Sequence, residues 1–140
     1  DHRVRDASVK AASLKQLNER LRPVLVNVDR GPVHLKEMFR TLARLERTDG
    51  LTLAEFLVET ESQLSSETTM LVMLQQATEA DIAALVGLSR RGWAIAVVIN
   101  TLDIDRYSRM AGPLLAERIH VSHLQTEDSI MDVCRAQMAR

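Results

Sequence analysis

The sequence predicts a three-layer α/β fold: a mostly parallel sheet with helices on both of its faces. Three observations predict it. Thr69 to Leu102 holds two short, almost unbroken apolar runs, Met70 to Leu74 and Trp93 to Ile99. Such runs suit parallel strands that are covered on both sides. Between them lies one amphipathic segment with helical spacing, which makes a βαβ unit. Strand-like and helix-like segments also alternate around that unit, as in sheets wound by right-handed crossovers.

Taken in order, the chain opens with a helical pattern. Val4, Ala7, Ala11, Leu14, Leu17 and Leu21 recur at three- and four-residue steps, and Pro23 stops the run. Val24 to Val28 reads as a first strand, broken by the turn residues Asp29-Arg30-Gly31-Pro32. Leu35, Met38, Phe39, Leu42 and Leu45 stripe the next helix, which Asp49-Gly50 ends. Thr52 and Glu55 match a capping box, with Leu51 and Phe56 placed as a hydrophobic staple. Leu53, Phe56, Leu57 and Leu64 give that helix its apolar face.

In the central unit, Thr78 is the expected cap of a helix, with Asp81 three residues on. Ile82, Leu85 and Val86 should face inward, and Gly92 should take the left-handed position past the helix end. Asn100 to Asp105 forms a loop. Tyr107, Met110, Ala111 and Leu114 then stripe a segment that Gly112-Pro113 should divide into two short helices. Ile119 to Leu124 is a more polar strand, expected at an edge. Thr126 should cap a last helix whose buried stripe is Ile130, Val133, Cys134 and Met138.

Composition narrows the function classes. The 140 residues amount to one domain's worth of chain, a whole protein or one part of a longer one. Apolar residues make up 46% and aromatics only 3%, so the core is aliphatic and intrinsic disorder is disfavoured. A net charge of -1, with both signs spread along the chain, provides no global field for nucleic acid. No apolar run reaches the length of a membrane span. A single cysteine, Cys134, excludes an internal disulfide and fits a reducing, cytoplasmic setting.

Ligands of open α/β sheets bind beyond the carboxyl ends of the strands. Those ends place Asp29, Gln75, Gln76 and Asp103, with Asp105 close behind, as the candidate binding residues. Asp29, Asp103 and Asp105 have the hard oxygen donors that a divalent cation takes, but Asp is also an ordinary turn and helix-cap residue. No glycine-rich phosphate loop and no Gly-x-Ser-x-Gly elbow is present, so no catalytic residue is assigned. His120 and His123, three apart on a strand, point to opposite faces and cannot easily share a metal. Arg40, Arg44 and Arg47 read as the solvated face of their helix.

Three segments together resemble a known family. They are Gly31-Pro32-Val33-His34-Leu35 through Leu42-Ala43-Arg44-Leu45, then Thr52-Leu53-Ala54-Glu55-Phe56-Leu57, then Thr69 to Leu74 with Arg91-Gly92-Trp93 through Val98. In this order they resemble the carboxyl-terminal half of the bacterial domain-of-unknown-function 58 family, which is similar to a von Willebrand factor A domain. The resemblance implies a Rossmann-like, von Willebrand A-like sheet. It also implies a non-catalytic protein-interaction module, with a MoxR-type AAA+ ATPase as the partner. Domains of this type hold a metal on an Asp-x-Ser-x-Ser motif after a first strand. Here Asp6-Ala7-Ser8-Val9-Lys10 has Lys10 in place of the last Ser, and no apolar strand precedes it. Gln75 and Gln76 stand where an acidic residue would be wanted. Neither a resident metal nor a cofactor is therefore expected. An open sheet edge would allow a homodimer. The alternative is a small Rossmann-like enzyme or nucleotide-binding domain with its site at the same sheet edge.

Overall fold

The computed structural model describes residues 23–27, 29–46 and 50–138. They fall into two units, Asp1–Thr52 and Leu53–Arg140.

In the first unit, α1 spans Pro32–Arg44. Pro32 occupies the start of the helix, where a missing N–H costs no internal bond. Gly31 precedes it at φ 101°, a left-handed conformation that disfavours any side chain. Leu35, Phe39 and Leu42 of the expected stripe are exposed. Residues 23–27 have no regular structure, in contrast to the strand expected over Val24 to Val28. An extended apolar run needs a ladder partner, and the described residues of this unit supply none. Val28 and the helix expected over Val4 to Leu21 lie outside the described residues.

In the second unit the order is α2 (Leu53–Gln63), β1 (Thr69–Leu74), α3 (Glu79–Arg90), β2 (Ala94–Asn100), α4 (Ile104–Ala116), β3 (His120–Leu124) and α5 (Ser129–Met138). The three strands form one parallel sheet in the order β1-β2-β3. Among the described residues β3 lies at one edge, as its polarity suggests, but the apolar β1 lies at the other. The architecture is thus α/β, with a parallel sheet and flanking helices.

The register decides which side chains share a face. Met70 pairs with Ile95, Val72 with Val97 and Leu74 with Ile99. These six pack with Ile82, Leu85 and Leu88 of α3 and with Met110, Ala111 and Leu114 of α4. Both crossover helices therefore cover the same face. Leu57 brings α2 into that core. On the other face Ala96 and Val98 of the central strand are buried, whereas Leu71 and Met73 of β1 are exposed.

Helix ends follow local chemistry. Thr78 and Asp81 form the expected capping box of α3. At its other end Gly92 has φ 96° and its N–H bonds Ser89 O, while Trp93 N–H bonds Leu88 O. That closes the helix as a left-handed glycine terminus should. Helix α2 begins directly after Thr52.

Three expectations are corrected. Gly112-Pro113 does not divide α4, which runs unbroken from Ile104 to Ala116. Pro113 is exposed near the helix end, so the carbonyl one turn back can turn to water, and Gly112 has no Cβ to clash with the proline ring. Meanwhile Met110, Ala111 and Leu114 hold both sides of the break in the core. Cys134 is exposed rather than buried, as is Ile130, while Val133 is half-buried. Helix α5 rests on the edge strand β3, which offers one narrow line of contact. Thr126 does not cap α5 directly. A turn comes first, in which Ser129 N–H bonds Thr126 O.

Candidate functional site

The carboxyl edge of the sheet is built from the loops after β1 and β2. Gln75 and Gln76 follow β1 and are exposed. The next two residues lead into the cap of α3. There the Asp81 carboxylate accepts from Thr78 N–H at 2.9 Å, from Thr78 Oγ1 at 2.8 Å and from Ala54 N–H at 3.0 Å. The last of these ties the start of α2 to the start of α3. Burial pushes the Asp81 carboxyl up, but the bonds from Thr78 and Ala54 together prevail and hold it below the ordinary aspartate value. The sequence reveals the Thr78–Asp81 pair. It does not reveal the contact with Ala54, because no local pattern links residues so far apart.

After β2, Asp103 caps α4. Its Oδ1 accepts from Asp105 N–H at 2.9 Å and from Arg106 N–H at 3.1 Å. The bond from Arg106 N–H lowers the Asp103 carboxyl most. Slight burial opposes it, while Asp105 N–H and the charges of Arg106 and Arg109 lower it further. Asp103 N–H in turn bonds Thr101 Oγ1 at 3.2 Å. A histidine fixes the base of this loop: His123 Nε2 lies 2.8 Å from Thr101 O. A carbonyl can only accept, so Nε2 carries the proton. The His123 ring stacks on Tyr107 with centroids 4.1 Å apart and planes 12° from parallel. His120 lies on the opposite face, where its Nε2 is 3.3 Å from Ser122 Oγ.

The loop and the first residue of α4 present two large apolar side chains to solvent, Leu102 (75% exposed) and Ile104 (62%). Asp103 and Asp105 flank Ile104, but one carboxylate oxygen of Asp103 is already committed to the helix cap. Asp29 belongs to the other unit, where its Oδ1 accepts from Arg30 N–H at 2.7 Å. Among the described residues, no group of three or more His, Cys, Asp or Glu is placed to hold a metal ion. No helix among them is long and apolar enough to cross a membrane.

A cleft of about 760 Å³ runs between α3 and α4 from this edge. Gln76, Thr78, Glu79, Arg106 and Arg109 contribute its polar groups, and Ile82, Val86 and Met110 contribute apolar wall. Sequence reasoning alone does not reach the two arginines. Their signal is a three-residue spacing that puts both on one side of α4 beside Met110. Compared with family models, with curated proteins and with solved structures, the chain matches none.

Proposed function

We propose that the chain is a non-catalytic, von Willebrand A-like protein-interaction module that recognises its partner through the loops beyond the carboxyl ends of its strands. The observation that carries this reading is the β2–α4 loop. Leu102 and Ile104 stand in solvent, yet the backbone beneath them is tied by Asp103, Thr101 and His123. Apolar side chains on an ordered loop suit docking, because they lose little conformational freedom when a partner covers them. Gln75 and Gln76 widen the same edge with neutral hydrogen-bonding groups. The resemblance to the domain-of-unknown-function 58 family suggests a MoxR-type AAA+ ATPase as that partner.

The test is a calorimetric titration of the intact chain against a purified MoxR-type ATPase from the same source. Binding is expected, and Leu102→Asp with Ile104→Asp should weaken it tenfold or more. The proposal fails if no complex forms, or if the double variant binds as the parent does. A second reading, a Rossmann-like nucleotide-binding domain or enzyme, draws support from the cleft between α3 and α4. A nucleotide panel that leaves the melting temperature unmoved would count against it.

A further inference from the structure

We propose that the cleft between α3 and α4 is a binding site for a medium-chain organic monoanion, an acyl carboxylate with its head at the carboxyl edge of the sheet. Both crossover helices run from that edge towards the amino ends of the strands, so the lining changes character along the cleft. At the mouth stand Gln76, Thr78, Glu79 and Arg106; farther in come Ile82, Arg109 and Met110, and at the far end Val86 and Pro113. A ligand that matches this gradient has a polar head and an apolar tail. From Glu79 to Val86 the helix rises about 10 Å, the reach of a short acyl chain rather than of a lipid tail.

Charge selects the head group. Arg106 and Arg109 bring two positive charges and Glu79 one negative, so the lining carries one net positive charge. Neither arginine forms an ion pair among the described residues. Asp103 lies near enough for both guanidinium charges to act on it, but its Oδ1 caps α4 instead. A carboxylate head would pair with this charge, and a guanidinium fork suits its two oxygens. A nucleotide fits less well, because no glycine-rich loop opens α3 to cradle phosphates.

The test is isothermal titration of the full chain with octanoate, hexanoate, octylamine and adenosine monophosphate. Octanoate should bind saturably at one site per chain. Each methylene lost should weaken binding about fourfold, so hexanoate should bind roughly fifteenfold more weakly. Octylamine should not compete. Arg106→Gln with Arg109→Gln should weaken octanoate tenfold or more, and Ala83→Trp, which fills the cleft from an exposed position, should abolish binding. The ligand series on the parent chain decides the matter even if a variant fails to fold. No saturable octanoate binding, equal affinity for octylamine, indifference to chain length, or tighter binding of the nucleotide would each overturn the proposal.

Discussion

Removing the Asp81 carboxylate should destabilise the chain far more than the loss of an ordinary helix cap. In Asp81→Ala the Thr78 and Ala54 backbone N–H groups both lose their acceptor, as does the Thr78 hydroxyl. A hydrogen bond to a charged group contributes about 1.5–3 kcal/mol. The Thr78 hydroxyl can turn to water, and both amides are partly solvated, so the expected loss is about 3 kcal/mol. For a chain of this size that is roughly 10 °C in melting temperature. The pH dependence supplies an independent check. The folded-state pKa of Asp81 is lowered, so its contribution is complete above the ordinary aspartate value, near 4, and is lost as pH falls through the lowered folded value. Urea unfolding followed by far-UV circular dichroism, at pH 7 and again near pH 2, measures both effects. A loss under about 1 kcal/mol at pH 7, or a gap between parent and variant that persists undiminished in acid, would refute the reasoning.

Other perturbations follow from the same structure. Leu114→Ala empties a fully buried site in the core and should cost about 3 kcal/mol in chemical denaturation, whereas its half-exposed neighbour Leu115→Ala should cost less than about 0.5. Arg118 has φ 59° where α4 ends, a conformation that strains any side chain; Arg118→Gly should stabilise by about 0.5–1 kcal/mol in the same assay. Arg91 holds Glu61 through two bonds, Nε to Oε1 at 2.9 Å and Nη2 to Oε2 at 2.8 Å. The Arg91 bonds lower the Glu61 carboxyl most; slight burial opposes them, and the Arg91 charge adds to them. Glu61→Gln should therefore lower the melting temperature at neutral pH and low salt. That difference should close in about 1 M salt, where charges are screened, and again as pH falls through the lowered carboxylate value.

The parts of the fold legible in the sequence are those set by local pattern. The strands at Met70 and Trp93, the Thr78–Asp81 box and the Gly92 terminus all rest on residues within a few positions of one another. The opposite orientations of His120 and His123 follow from strand periodicity alone. Elements whose burial depends on distant partners were less legible. The stripe of α5 looked fit for a core, but the edge strand beneath it covers only part of it, so Cys134 and Ile130 face water. Pro113 looked like a break because propensity weighs one hydrogen bond, while Met110 and Leu114 outweigh it through burial. Of the candidate site, the strand-end position of Gln75, Gln76 and Asp103 was legible. The pairing of His123 with Thr101 and the cleft beside Arg106 and Arg109 were not, since each depends on how α3, α4 and β3 meet in space.

The parallel ladder also has a kinetic meaning. Thr69 pairs with Ala94 and Ala96 pairs with His120, so each pairing closes a chain segment of about 25 residues, and β2 belongs to both. Neither pairing is local enough for a hairpin to nucleate it, and each must wait for its crossover helix to bring the strands together. The β1–α3–β2 module holds the Thr78–Asp81 cap and most of the fully buried side chains, which suits it to form first. β3 and α5 can then add to a finished edge, and under native conditions they can open again while the central strand stays protected from solvent exchange.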